Sequence, residues 1–123
     1  MFLILNHQNL DIYHYSRALI TECYALAGKL PADERFVLSS QIRRAALSVH
    51  LNIAEGASRK SQAERKRFYE IARGSLIEVD AALGLVKDLN LSTTHDMQSL
   101  SELIPICFAL LSGLLNATEN KFR

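Results

Sequence analysis

The residues best suited to chemistry form a basic run between Arg59 and Arg67. The run contains a single acid, Glu64, and five cations: Arg59, Lys60, Arg65, Lys66 and Arg67. Three of the cations would lie in the first turns of a helix, where the helix dipole disfavours each of them by roughly a few tenths of a kcal/mol. Local stability therefore does not explain their position, whereas a site for the phosphate groups of RNA or DNA would. The alternative is a solvated end of a helical protein, in which Lys66 pairs with Glu70 at i,i+4 spacing.

No comparable pattern indicates catalysis. The chain lacks the phosphate-binding motifs G-x-x-x-x-G-K and G-x-G-x-x-G, the nucleophile motif G-x-S-x-G and the zinc motif H-E-x-x-H. A di-metal site in a helical bundle needs two Glu-x-x-His pairs, and the nearest match, Asp11 to His14, occurs once. His50 and Glu55 do not share a helix face, so a local acid–base pair is not expected. We therefore expect no enzymatic activity, no bound metal and no cofactor.

The cysteines and the apolar segments indicate in which cellular compartment the protein is located. Cys23 and Cys107 are too few and too far apart for a disulfide framework or a C-x-x-C metal site. Both lie in apolar helical patterns, which predicts buried free thiols in a reducing compartment. The apolar start, Met1 to Leu5, is too short for a signal-peptide core. No apolar run approaches the ~18–20 residues of a membrane span, so we expect a cytoplasmic protein with no membrane partner.

Length and composition favour a single helical domain. The 123 residues suit one domain, and they are 49% hydrophobic but only 7% aromatic, without tryptophan. This composition disfavours an all-β sandwich and excludes a disordered chain. The net charge of +1 conceals an uneven distribution. Residues 41–73 hold eight basic and three acidic residues, for a net charge of +5, and the rest of the chain carries −4.

Hydrophobic periodicity and punctuation predict two helices in the first half of the chain. The first is predicted from Leu10 to Ala27, with Gly28 as its stop. The second is predicted from about Ala32 to Glu55, with Gly56 as its stop. The predicted core stripe of the first helix is Ile12, Tyr15, Leu19, Cys23 and Leu26.

Two further helices are predicted in the second half. The third begins at the capping box Ser61-Gln62-Ala63-Glu64 and ends near Asn90. A weaker capping signal from Thr93 to Asp96 opens the fourth, in which Pro105 predicts a bend or a late start. Four amphipathic helices with short connections predict an all-α, antiparallel up-and-down four-helix bundle. We expect one domain over residues 1–123, with an irregular or flexible N-terminus over residues 1–9.

The second and third predicted helices carry apolar residues on a second face, away from the core stripe. A solvated face would be uniformly polar, so this face predicts contact with another subunit. The residues predicted for the interface are Val37, Arg44, Leu47, Leu51, Glu55, Gly74 and Glu78. Arg44 and Glu55 are too far apart to pair within one helix, so each is expected to meet an opposite charge on a neighbouring helix or subunit. The alternative is a normal scatter of surface leucines.

Several ordered motifs resemble a bacterial family. These are Q-I-R-R-A-A-L-S-V, N-I-A-E-G and S-R-K-S between residues 41 and 61, and R-F-Y-E-I-A-R-G-S-L-I-E-V at residues 67–79. They resemble the four-helix bundle proteins encoded in intervening sequences of large-subunit ribosomal RNA genes, over roughly residues 10–91. The hallmark residues of that family carried here are Gln41, Arg43, Arg44, Asn52, Glu55, Gly56, Arg59, Ser61, Gly74, Ser75 and Glu78.

The resemblance implies a homopentameric ring of four-helix bundles with no established enzymatic activity. A related branch, the accessory proteins of diversity-generating retroelements, is more basic than this chain and binds nucleic acid and a reverse transcriptase. The leading hypothesis is a non-enzymatic, ring-forming protein that binds RNA or DNA through the basic run. The alternative is a protein-interaction scaffold whose charges serve assembly alone.

Overall fold

The computed structural model describes residue 3 and residues 5–120, apart from the side chains of residues 6, 9, 119 and 120. Throughout this part of the chain the regular structure is helical, which confirms the predicted all-α class with four helices. The helices are α1 (Asp11–Lys29), α2 (Leu38–Ser58), α3 (Gln62–Asp88) and α4 (Thr94–Asn120). Short 3-10 helices precede α1 and α2, at Asn6–Asn9 and Ala32–Glu34. The predicted irregular N-terminus falls partly on Met1, Phe2 and Ile4, which lie outside the described residues.

Three side-chain and packing features define the course of the helices. The Ser39 hydroxyl donates to the Ala27 carbonyl at 3.0 Å and so joins the end of α1 to the start of α2. Lys29 Nζ lies 3.3 Å from Asp96 Oδ1, which joins the end of α1 to the start of α4. Each helix packs against the next, and α4 packs back against α1. The four helices therefore form an antiparallel, up-and-down bundle.

The core side of α1 follows the predicted stripe with one exception. Tyr15 is 41% exposed, so its assignment to the core is wrong. Tyr13 and Ser16 are buried in its place. The Ser16 hydroxyl donates to the Tyr13 carbonyl at 3.0 Å and lies 2.7 Å from His50 Nδ1. Because both partners form hydrogen bonds with the hydroxyl, Ser16 can be buried in the core although serine is a polar residue.

Helix boundaries differ from the predictions at two glycines and at the start of α2. Gly28 and Gly56 do not end their helices, since α1 continues to Lys29 and α2 to Ser58. A glycine inside a helix costs only about 1 kcal/mol relative to alanine, which tertiary packing can outweigh. The predicted start of α2 at Ala32 is also wrong, because a 3-10 helix and a turn precede Leu38.

The ends of α3 are well defined by local contacts. The Ser61 side chain accepts a hydrogen bond from the Glu64 backbone N–H at 3.1 Å, as the capping box predicts. At the other end Asn90 has a φ of 56°, a left-handed conformation that asparagine adopts more readily than most residues. The Leu91 N–H then bonds the Val86 carbonyl at 3.0 Å, which closes the helix.

Helix α4 is continuous through Pro105, so the predicted late start is wrong. Thr93 caps it, with its hydroxyl 3.0 Å from the Asp96 N–H, as the sequence predicts. Residues 94–118 are long and apolar enough to cross a membrane, a property that core helices of soluble proteins share. The expectation that no apolar run approaches the length of a membrane span therefore does not hold for α4.

Candidate functional site

The basic run lies at one end of the bundle, where α2 turns into α3. Only Arg59, Lys60 and Ser61 separate the two helices, so the remaining three cations occupy the first turns of α3. Lys60 and Arg67 are exposed. Arg59, Arg65 and Lys66 are half-buried. The five cations therefore lie on one turn but do not share one environment. We call residues 59–67 the basic turn.

Two of the five cations have internal partners that support the turn. Arg59 Nη2 pairs with Glu55 Oε1, and its guanidinium lies 4.9 Å from the centre of the Phe68 ring. Arg65 Nη1 donates to the Arg59 carbonyl, one of the groups that the end of α2 leaves without an intrahelical partner. These two arginines hold the chain where it reverses direction.

The other three cations differ in their ion pairing. Lys66 pairs with Glu70 at 3.9 Å, the spacing expected from the sequence. Lys60 and Arg67 form no ion pair with any residue that the structure describes. The uncompensated positive charge of the basic turn is therefore concentrated on these two exposed side chains.

A cavity of about 350 Å³ opens between the basic turn and the N-terminal segment. Leu5 and His7 line it on one side, and Arg59, Lys60 and Arg65 line it on the other. Sequence analysis missed the contribution of His7, because no local pattern relates it to a turn more than fifty residues later. We call this cavity the turn pocket.

The predicted interface residues lie mainly on one outer face of α2 and α3. Val37 is 64% exposed and Leu51 is 59% exposed. Leu47 is half-buried and so contributes less to this surface. Two further exposed leucines, Leu85 on α3 and Leu89 directly after it, extend the surface. We call the exposed residues of this surface the outer face: Val37, Arg44, Leu51, Glu55, Gly74, Glu78, Leu85 and Leu89.

The charged residues of the outer face are partly satisfied within the chain. Glu55 pairs with Arg59 one turn later, so the expected partner on another helix or subunit is not needed for it. Glu78 Oε2 accepts a hydrogen bond from Gln41 Nε2 at 3.2 Å. Arg44 is exposed and has no ion-pair partner among the described residues.

Small and polar hallmark residues join α2 to α3 beneath this face. The Ser48 and Ser75 hydroxyl oxygens are 2.7 Å apart, and Asn52 Nδ2 donates to the Ser48 carbonyl at 2.8 Å. Gly56 faces the Tyr69 ring so closely that an added Cβ would lie 2.7 Å from its Cε1 atom. Gly74 differs, because a Cβ there would meet no atom within 4 Å. The protomer therefore needs Gly56 for packing but does not need Gly74.

A cluster of rings stands beside the start of α1. The Tyr13 ring centre is 4.7 Å from that of His7 and 4.5 Å from that of His50. Burial lowers the pKa of His50, and the charges of Arg17 and His7 lower it further. The Ser16 hydroxyl that contacts His50 is fully buried, so this serine–histidine pair cannot reach a substrate.

The cysteines are free and buried, as predicted. Burial raises the pKa of Cys23 to about 12 and that of Cys107 to about 11. Since the thiolate is the reactive form, neither residue is suited to act as a nucleophile near neutral pH. Among the described residues, no group of three histidine, cysteine or acidic side chains could hold a metal ion.

Comparison with known proteins gives one positive finding. The model of a protein family described as 23S rRNA-intervening sequence protein matches residues 8–113, which include the basic turn and the whole outer face. No curated protein matches the chain at a significant level.

Proposed function

The chain belongs to the 23S rRNA-intervening sequence protein family, and from this premise we propose that it is a cytoplasmic, non-enzymatic protein that forms a homopentameric ring and binds RNA or DNA through its basic turn. The observation that carries the nucleic-acid proposal is the pair of exposed, uncompensated cations Lys60 and Arg67 at one end of the bundle.

The outer face supports assembly. Four apolar side chains are each more than half exposed in the single chain, and they lie on or directly beside two helices that pack against each other: Val37, Leu51, Leu85 and Leu89. Exposed apolar side chains grouped on one pair of helices are typical of sites of protein contact. Gly74 lies on the same face without a packing role inside the chain, and a glycine there lets another backbone approach closely. The family resemblance implies that the ring has five subunits.

Position favours a phosphate-binding role for the basic turn. Cations in the first turns of α3 are disfavoured by the helix dipole, so a partner with negative charge would stabilise them. A ring would present the turn once per subunit and let several phosphates of one strand bind together, which raises the overall affinity. Contact with phosphates requires only this positive charge and does not depend on base sequence.

The test is nucleic-acid binding measured across a salt series. We expect log affinity to fall linearly with log salt. The Lys60→Ala/Arg67→Ala variant should show a slope shallower by about 0.7–0.9 for each phosphate that it no longer neutralises. The control variant Arg35→Ala/Lys87→Ala removes the same charge from exposed residues at the other end of the bundle. Its slope should match that of the unmodified protein.

Two results would overturn the nucleic-acid proposal. One is the absence of binding at low salt, and the other is an equal slope for both double variants. Either result would favour the scaffold hypothesis, in which the charges of the basic turn serve assembly alone.

A further inference from the structure

The turn pocket is formed by parts of the chain that are distant in sequence. Leu5 and His7 precede α1, whereas Ser58, Lys60 and Arg65 belong to the end of α2, the connection and the start of α3. Among the described residues, Leu5 and His7 therefore line one side of the pocket and the basic turn lines the other. Its volume of about 350 Å³ can hold a phosphate group together with part of the sugar attached to it.

The chemistry of the pocket is that of an anion site. Its described lining contains the basic side chains of His7, Arg59, Lys60 and Arg65 and no acidic residue. Arg59 Nε is buried and has no hydrogen-bond acceptor in the described part of the chain. Because this atom has almost no exposed surface, a ligand in the pocket would meet the Lys60 and His7 side chains and not Arg59 Nε. Helix α3 begins two residues after Lys60, and its dipole adds positive potential at the same place.

A strand end suits this pocket better than an internal phosphate does. An internal phosphodiester carries one negative charge and needs room for the strand to leave on both sides. A terminal phosphate monoester carries about −1.5 to −2 near neutral pH and leaves on one side only. A half-enclosed pocket beside an exposed basic turn can hold the terminal group while the rest of the strand follows the turn.

We propose that the turn pocket binds the terminal phosphate of an RNA or DNA strand, with Lys60 and His7 as contact residues and Arg67 contacting the strand outside the pocket. This inference rests on the proposed nucleic-acid function, and it adds a preference for phosphorylated ends. A charge-assisted contact of this kind corresponds to a preference of about tenfold.

The test compares short strands that differ only at their ends. Single-stranded RNA and DNA of one sequence are prepared with a 5′-phosphate, with a 3′-phosphate or with neither, and their affinities for the full chain are measured at fixed salt. We expect a phosphorylated end to bind about tenfold more tightly than a free hydroxyl end. The 5′ and 3′ arms identify which end is recognised, and the RNA and DNA arms identify which kind of strand is preferred.

Three variants separate the pocket from the rest of the turn. Lys60→Ala and His7→Gln should abolish the preference for a phosphorylated end. Lys60→Ala should leave helical content and melting temperature unchanged, so it separates the pocket from the ring contact between His7 and Tyr13. Arg67→Ala is the matched control, because Arg67 is exposed on the same turn but does not line the pocket. It should weaken binding to all strands by the same factor and leave the preference intact.

The outcomes separate this inference from the proposed function. Salt-dependent binding with equal affinity for the 5′-phosphorylated, 3′-phosphorylated and unphosphorylated strands would overturn the pocket assignment. The proposal of nucleic-acid binding would remain. A preference that survives in both Lys60→Ala and His7→Gln would also overturn it. Failure of every strand to bind at low salt would overturn the proposed function together with the inference.

Discussion

At the scale of single residues, Gly56 sets how closely α2 approaches α3 near the basic turn. A Cβ at this position would lie 2.7 Å from Tyr69 Cε1 and 3.0 Å from Phe68 Cβ. Tyr69 is only 3% exposed, so its ring has little room to move aside. Phe68 in turn supports the Arg59 guanidinium, which links the glycine to the geometry of the basic turn.

The substitution Gly56→Ala tests this close contact. We expect the free energy of unfolding to fall by about 1–3 kcal/mol, because the added methyl group overpacks the contact with Tyr69. Chemical denaturation measures the change. Gly84→Ala is the control, since a Cβ at Gly84 would meet no atom within 4 Å. It should stabilise the protein by about 0.4–1 kcal/mol, so equal effects of the two substitutions would contradict the packing argument.

Residue type alone explains only part of what these positions do. A glycine after an apolar run is expected to end its helix, which is the local behaviour predicted for Gly56. Its role inside α2 depends instead on Tyr69, which lies on another helix. For Arg59, the i,i+4 spacing indicates the ion pair with Glu55, but the stacking on Phe68 depends on the next helix. The bond from Arg65 to the Arg59 carbonyl likewise depends on how the turn folds.

At the scale of the helix, α3 depends on its N-terminal cap more than an average helix does. Its first turns carry Arg65, Lys66 and Arg67, which the helix dipole disfavours. The Ser61 hydroxyl offsets part of this cost because it accepts the Glu64 N–H. The cap also fixes where α3 begins relative to the turn pocket.

The substitution Ser61→Ala measures the contribution of the cap. We expect a loss of about 1 kcal/mol in the free energy of unfolding, because the Glu64 N–H loses its acceptor. Ser101→Ala is the matched control, since the Ser101 hydroxyl only donates to the Gln98 carbonyl of its own helix. It should leave stability unchanged or slightly raised, and a loss as large as that of Ser61→Ala would contradict the capping role.

At the scale of the whole molecule, the outer face decides whether the single chain is the working unit. Leu51 is 59% exposed, so replacing it does not disturb the core of the bundle. Ile106 of α4 is also exposed, at 42%, but lies on a helix that does not contribute to the outer face. The two residues therefore offer the same chemical change inside and outside the proposed interface.

Assembly predicts different solution masses for variants at these two positions. We expect light scattering to give the unmodified protein a mass five times that of the 13.8 kDa chain. Leu51→Glu should lower the mass, because a charge in an apolar contact is costly to bury. Ile106→Glu should leave the mass unchanged. A strictly monomeric unmodified protein, or equal effects of both substitutions, would contradict assembly through the outer face.

The sequence by itself determined the helical class, the four helices, the caps at Ser61 and Thr93 and most of the core stripes. These features depend on side chains three or four positions apart and on hydrogen bonds within one turn, so they can be seen locally. Only the tertiary structure decided that Ser16 is buried, that Gly56 packs against Tyr69 and that His7 faces the basic turn. These outcomes depend on atoms that are distant along the chain, and their contact energies leave no periodic trace in the order of residues.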